Sequence, residues 1–304
     1  MKKTFYSFLF CLAFFWLPAQ NADKTKVLEH LNYLCDESYV RHYLDMKGLN
    51  RAADYIFEEF SKADGFVSEQ KYQAKGETFR NIIFSTDTSD LPRIILGAHY
   101  DVYGKQAGAD DNASGVVALL ELSRLLSSFK NNYFRIDLVA FTNEEPPFFR
   151  SKDMGSYRHA QWLHQQKANV AFMVSIDMIG YFNDEEGSQQ YPDNSFAQKY
   201  GTKADFLAVI DDVGNFSSPF AHLLCQSEKL RFLCFTAKEL PNLGLSDHIN
   251  YRHFGFQAMM ISNTAFYRTP HYHTPADRVE TLDLERLSNA ITAIYHALYL
   301  LKFD

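Results

Sequence analysis

The chain has 304 residues, of which 46% are hydrophobic, so it is long enough to bury a sizeable core. Its 37 acidic residues outnumber its 30 lysines and arginines, and a net charge of −7 argues against nucleic acid as a partner. The sequence contains no internal repeat or long linker, so residues 21–304 are predicted to form a single domain.

The first twenty residues, MKKTFYSFLFCLAFFWLPAQ, have the features of a secretory signal peptide: two lysines, an apolar segment and a Pro-Ala-Gln exit. The apolar segment is too short for a membrane span. We therefore expect an exported protein, periplasmic or extracellular, with no stable membrane anchor after signal removal. Loss of Lys2 and Lys3 changes the net charge from −7 to −9. Of the three remaining cysteines, Cys225 and Cys234 either form a disulfide or are buried separately.

Helical and strand-like patterns alternate along the mature chain. Helices are predicted at residues 23–46, 50–63, 116–129, 157–165, 219–228 and 284–300. Strands are predicted at residues 79–85, 93–98, 134–141, 170–179 and 206–213. The polar stretch at 182–204 is predicted to be a surface loop. This alternation indicates an α/β fold with a largely parallel sheet covered on both faces.

The strand predicted at 93–98 is followed by two polar residues, His99 and Asp101. Neutral imidazole is a standard zinc ligand. Residues two apart on a strand face the same side, so Asp101 is predicted to hold the other ring nitrogen of His99 and fix its tautomer. A solvated or structural His-x-Asp pair is the alternative, but a second acidic cluster follows closely.

The segment GADDNASG forms a turn that places Asp110 and Asp111 at the entrance of the next helix. Aspartate and asparagine side chains before a helix commonly accept hydrogen bonds from its free amides, so one of the two aspartates is expected to be an N-cap. Two adjacent acids exceed that need. We therefore predict that Asp111 is a carboxylate that bridges two metal ions.

Two further predicted strands carry acidic residues near their ends. Glu144 and Glu145 follow the strand at 134–141, and Asp177 interrupts the apolar run at 170–179. Open α/β sheets place ligand sites at the carboxyl ends of their strands. Adjacent glutamates repel each other, and a buried, unpaired carboxylate is costly. Metal ions would remove both penalties, with one glutamate as a ligand and the other as a base; a solvated acidic loop is the alternative.

The loop RTPHYHTPAD, before the last helix, contributes His271 and His273. Only one more imidazole is needed, and spacing alone does not choose between them. Five aromatic residues flank the predicted ligands and either line an apolar substrate pocket or belong to the core. They are Phe148, Phe149, Phe182, Phe266 and Tyr267.

Together these residues resemble the zinc aminopeptidases and glutaminyl cyclases of metallopeptidase family twenty-eight, clan MH. The resemblance covers most of the chain and rests on AHYD, GADDNASG, NEEPP, SIDMIGY, LSDH and HYHTPAD in the family's order. It implies a three-layer αβα sandwich with a mixed, largely parallel central sheet. It also implies two zinc ions (Zn2+) per chain, although carboxylate-rich sites accept manganese or cobalt as well.

The family pattern implies a role for each candidate residue. His99 and Asp177 would bind one zinc ion, Glu145 and His273 would bind the other, and Asp111 would bind both. Glu144 would be the general base. The family ligand is the histidine of an H-T-x-x-D segment, so His271 would be a neighbour at the pocket rim.

The LSDH segment at 245–248 resembles the family's pocket wall, which makes Asp247 and His248 candidate pocket residues. We expect the side chain of Ser246 or that of Asp247 to cap the following helix. Some aminopeptidases of the family have a tyrosine three residues before this serine, which helps to polarise the substrate carbonyl. This chain has Leu243 there, so that contribution is not expected.

The favoured function is that of an aminopeptidase acting on peptides with a free N-terminus. A glutaminyl cyclase, which uses one zinc ion to close an N-terminal glutamine, is the nearest alternative. The peptidase-like GADDNASG segment argues against it, because cyclases tend to lose the two-metal character there. A noncatalytic binding protein of the same fold is ranked last, because no ligand position is missing.

Overall fold

The computed structural model describes residues 20–127, 129–211, 218–236, 239 and 245–302. The predicted leader up to residue 19 and Leu243 lie outside these ranges. Within the described ranges, no helix has both the length and the apolar character that crossing a membrane requires.

The described chain folds into alternating strands and helices. The strands are β1 (Phe66–Ala74), β2 (Glu77–Ser85), β3 (Arg93–His99), β4 (Arg135–Phe141), β5 (Val170–Ile176), β6 (Phe206–Asp211), β7 (Arg231–Thr236) and β8 (Ala258–Ser262). The α-helices are α1 (Lys24–Leu34), α2 (Met46–Ser61), α3 (Gly115–Leu126), α4 (Gly155–Gln165), α5 (Asn194–Tyr200), α6 (Pro219–Cys225), α7 (His248–His253) and α8 (Leu284–Leu300). Short π- or 3-10-helical turns occupy Ala109–Ser114, Ala265–Tyr267 and Val279–Thr281.

The eight strands form one mixed sheet in the order β1-β2-β4-β3-β5-β8-β6-β7. Its centre is parallel, because β3 pairs in parallel with β4 and β5, and β5 pairs in parallel with β8. The strands β1, β2 and β4 are joined by antiparallel pairing, as are β6 and β8. The predicted α/β fold with a mixed, largely parallel sheet is confirmed.

Helices cover both faces of the sheet because successive strand residues point to opposite sides. In β3, Ile94 and Leu96 join the cluster that includes residues of α1, α2, α3 and α8. Ile95, between them, belongs instead to the cluster with Ala160 of α4 and Tyr251 of α7. The sheet is therefore buried between two helical layers, as the three-layer sandwich requires.

Most predicted elements are present, and the differences have physical causes. The last helix has the predicted bounds, but the helix predicted at 23–46 ends at Leu34, and α2 begins at Met46 after an irregular connection. Strand β1 was missed because it is a polar, partly exposed edge strand with little apolar alternation. Strands β7 and β8 were also missed. The polar stretch at 182–204 is not wholly a loop, because it contains α5.

The parallel centre of the sheet brings distant acidic residues to one edge. His99, at the end of β3, lies opposite Phe141, the last residue of β4, and Gly97 lies opposite Ser175 of β5. The residues that follow these strands therefore emerge side by side. This edge carries the candidate site, as expected for the carboxyl ends of parallel strands.

We predict that Gly155→Ala destabilises the protein by about 1–3 kcal/mol, because overpacking of a tight contact is costly. A Cβ atom at Gly155 would lie 2.6 Å from the carbonyl oxygen of Thr142 and would also collide with Asn81 Oδ1. Urea unfolding measures the effect. The matched control, Gln161→Ala on the same helix, is expected to change stability by less than about 0.5 kcal/mol; equal effects of both variants would contradict the packing argument.

Candidate metal centre

The predicted ligands from the strand ends and loops meet in one buried cluster. His99 Nε2 lies 3.4 Å from Asp111 Oδ1 and 3.8 Å from Asp177 Oδ1. His273 Nε2 lies 3.2 Å from Asp111 Oδ2 and 3.4 Å from Glu145 Oε1. Asp111 thus directs one carboxylate oxygen toward each histidine.

The side chains form two sets of possible metal donors that share Asp111. One set is His99, Asp111 and Asp177, and the other is Asp111, Glu145 and His273; within each set the donor atoms lie within 4.8 Å of one another. Glu144 belongs to neither set, but groups with His99 and Glu145. The two sets therefore have one carboxylate in common, that of Asp111.

Hydrogen bonds to residues outside the metal-donor sets hold the turn before α3. The amides of Asp110 and Asp111 donate to the two carboxylate oxygens of Asp277 at 2.7 and 3.0 Å. The Nδ2 of Asn112 donates to the carbonyl of Ile176 at 2.9 Å. These bonds tie the loop that carries Asp111 to the segment before α8 and to the end of β5. Sequence reasoning included Asp277 only as part of a motif, and missed this role.

The expectation that Asp110 or Asp111 caps the following helix is wrong. The amide of Gly115 donates instead to Asn112 Oδ1 at 3.1 Å. Asp110 accepts from the amide of Gly180 at 2.8 Å and from Asn263 Nδ2 at 2.6 Å. The chain enters α3 through the turn at Ala109–Ser114, so both acids precede the point at which a cap could act.

Asp101 lies close to His99, but its carboxylate has other partners. His99 Nδ1 is 3.2 Å from the backbone carbonyl oxygen of Asp101 and 3.7 Å from its carboxylate. The carboxylate accepts from the amides of Glu144 and Glu145 at 3.0 and 3.1 Å. In this structure the backbone carbonyl is nearer to the imidazole, and the carboxylate orients the two glutamates.

Several buried acids lie close together in this cluster, so their negative charges are unfavourable unless cations or protons balance them. Burial raises the pKa of Glu144 well above its ordinary value, and raises the pKa of Glu145 to about 7. Burial would also raise the pKa of Asp111, but hydrogen bonds with His273 and His99 lower it overall. Glu145 Oε1 is buried and makes no hydrogen bond within the described chain, although His273 Nε2 lies 3.4 Å away. A buried carboxylate oxygen without a hydrogen bond, among imidazole and carboxylate donors, fits zinc.

A cavity of about 190 Å³ opens beside the donor sets. Of the predicted pocket residues, Phe149 and Phe266 line it, together with Leu245 of the LSDH segment. Sequence reasoning missed five further lining residues. Pro146, Met178 and Tyr272 lie inside the NEEPP, SIDMIGY and HYHTPAD segments, each next to a predicted ligand, whereas Met260 and Ala265 lie in and after β8 and outside any motif.

The other aromatic candidates lie outside this lining. Phe148 is buried and packs against the rings of Tyr43 and Phe79. Phe182 packs against the guanidinium of Arg268. Tyr267 packs with the cluster around Phe206. Phe148 and Phe182 therefore belong to the core, and Tyr267 is partly buried against it.

Asp247 and His248 are fully buried and are not among the residues that line the cavity. Neither Ser246 nor Asp247 caps α7 with its side chain, so that expectation is wrong. Ser246 Oγ instead pairs with Ser175 Oγ at 3.0 Å. Burial raises the pKa of Asp247 to about 7.

The two loop histidines have different surroundings. His273 belongs to a donor set, whereas the ring of His271 packs edge-to-face on Tyr181 at 5.5 Å. His271 is in neither donor set and does not line the cavity of the described structure.

Cys225 and Cys234 are free thiols and do not form a disulfide in this structure; Cys225 is exposed and Cys234 is partly buried.

The sequence of the chain matches a known protein family. The model for Peptidase family M28 matches residues 81–298. The uncharacterized protein YfbL of Escherichia coli K12 is 34% identical over 98% of this chain and 99% of its own length.

Solved structures share the fold. The LapA aminopeptidase of Legionella pneumophila superposes with a TM-score of 0.72 at 22% identity, over 92% of this chain and 72% of that one. The glutaminyl cyclase of Bacteroides thetaiotaomicron does so with a TM-score of 0.67 at 18% identity, over 93% of this chain and all of that one. The chain belongs to peptidase family M28.

Proposed function

We propose that the chain is an exported two-zinc aminopeptidase that hydrolyses the first bond of peptides. The observation that carries this proposal is the position of Asp111, which offers one oxygen to each of two donor sets. His99 and Asp177 would hold one zinc ion, and Glu145 and His273 the other. Asp111 would contribute to both.

When bound, a pair of zinc ions polarises the scissile carbonyl and acidifies a shared water. Glu144 lies at the cavity wall and outside the two donor sets that share Asp111. Its carboxylate would accept a proton from the attacking water as the carbon–oxygen bond forms. The same proton would then pass to the leaving amine as the carbon–nitrogen bond breaks, which is general base and then general acid catalysis.

The cavity beside the donor sets has a mixed lining. Four carboxylates and two imidazoles line it, namely Asp111, Glu144, Glu145 and Asp177 beside His99 and His273, and two zinc ions would balance the four negative charges. The apolar wall formed by Phe149, Leu245 and Phe266 offers room for the first side chain.

A glutaminyl cyclase is the second candidate, because solved structures with this fold include both activities and fold alone does not decide function. The presence of a complete second donor set, Asp111 with Glu145 and His273, favours the peptidase.

The proposal of export rests on the leader. An exported enzyme would be periplasmic or extracellular, and its partners would be peptides.

Zinc should stabilise the metal-free protein through His273 but not through His271. At a free zinc concentration of 100 times Kd, binding contributes about 2.7 kcal/mol, so thermal unfolding with zinc and with chelator should differ for the native chain. The His271→Ala variant should keep the zinc-induced rise in Tm, and His273→Ala should lose much of it. Equal rises in both variants would contradict the assignment of His273.

Glu144→Gln should lower kcat by about 10²–10⁴-fold, the range expected for loss of a general base. Its zinc-induced rise in Tm should persist, because Glu144 is outside the two donor sets that share Asp111. The matched control is Glu145→Gln, which should reduce both activity and the rise in Tm. Near-normal turnover by Glu144→Gln would show that another group is the base.

Peptides that begin with glutamine distinguish the two candidate activities. The zinc-loaded protein should release free glutamine and the shortened peptide, detected by mass spectrometry, because water attacks the first peptide bond. Loss of ammonia from an otherwise intact peptide would establish the cyclase instead. If neither product forms from any peptide of a mixed library, the noncatalytic alternative gains support.

A further inference from the structure

The two histidines of the donor sets are held in different ways. His99 Nδ1 lies 3.2 Å from the carbonyl oxygen of Asp101, a contact that can fix the ring. Within the described chain, no hydrogen bond is found for Nδ1 of His273, whose side chain is 25% exposed. Metal-binding histidines usually have such a bond, which orients the imidazole. Contacts with the faces of the ring are the other way in which the protein can orient His273.

Two tyrosine rings supply these contacts. The ring of Tyr103 stacks on His273 with a centroid distance of 4.3 Å and an angle of 4° between planes. The ring of Tyr272 stacks on it at 3.8 Å and 19°. Because the two tyrosines make no ring contact with each other within the described chain, they cover opposite faces of the imidazole.

Tyr103 is held independently of His273. The adjacent amide of Val102 donates to the carbonyl of Arg41 at 3.0 Å. The guanidinium of Arg41 donates to the carbonyls of Tyr100 and Gly108, each at 2.9 Å. Arg41 thus anchors the backbone directly before Tyr103, which places the tyrosine beside His273 without any contribution from the histidine.

We infer that Tyr103 is a positioning residue that orients His273 for metal binding by stacking, in place of a hydrogen bond. This inference rests on the proposed zinc site. Tyr103 is 41% exposed and does not line the cavity, whereas Tyr272 does. The face of the Tyr103 ring carries the negative part of the ring's quadrupole. It therefore also attracts an imidazole that has given up electron density to a cation.

Three residues of the short segment from His99 to Tyr103 contribute to the centre. His99 itself belongs to one donor set, and Asp101 holds the amides of Glu144 and Glu145. Tyr103 stacks on the histidine of the other set. A single five-residue stretch that begins with the last residue of β3 would therefore contribute to the geometry of both donor sets.

Zinc affinity of the full mature chain, measured by competition with a chromogenic chelator, tests the role of Tyr103. We expect two binding steps in the native chain. Tyr103→Ala should weaken one step by about 10–100-fold, the range for loss of a contact that orients a metal ligand, and leave the other unchanged. Tyr103→Phe, which keeps the stacked ring, should retain native affinity for both steps.

Activity at limiting and saturating zinc provides a second readout. For Tyr103→Ala, kcat should fall at limiting zinc and recover at saturating zinc, with KM unchanged. The matched control is Tyr133→Ala, which removes another exposed tyrosine and should have no effect. Unchanged zinc affinity in Tyr103→Ala, or an equal loss of affinity in Tyr103→Phe, would overturn the role of Tyr103 and leave the proposed zinc site intact. A native chain that binds no zinc would overturn the proposed function as well.

Discussion

Burial of like charges at the carboxyl edge of the sheet is the constraint that organises this protein. Asp111, Glu144, Glu145 and Asp177 are all less than a tenth exposed, and they surround two histidines. In a medium of low dielectric such a group is stable only with cations or protons nearby. This electrostatic cost falls at the edge where the parallel strands β4, β3, β5 and β8 end side by side.

The acidic residues of the centre have two separate tasks. Asp101 and Asp277 each accept a pair of backbone amides, so they hold the chain that carries Glu144, Glu145 and Asp111. The acids on that chain keep oxygens available, as Oε1 of Glu145, which makes no hydrogen bond within the described chain, illustrates. Pre-organisation by backbone amides means that the donor atoms are placed before any ligand arrives.

Much of the centre was accessible from the sequence because its residues lie where strands stop. The apolar run before His99 predicts a strand, and a polar residue directly after a buried strand is expected at the sheet edge. The same logic found Glu144, Glu145 and Asp177. It failed for the caps, since whether Asp110 or Asn112 accepts an α3 amide depends on the π-helical turn at Ala109–Ser114, which has no signature in the sequence.

What the sequence determined by itself was the fold class, the order of most elements and the types of donor atom, because these follow from local periodicity and from short motifs. The tertiary structure alone decided which of two nearby side chains faces the site. His273 enters a donor set while His271 packs on Tyr181, and Phe149 lines the cavity while Phe148 joins the core. Such choices depend on backbone direction and on neighbours far away in the chain, such as Tyr103 beside His273, and spacing along the chain contains neither.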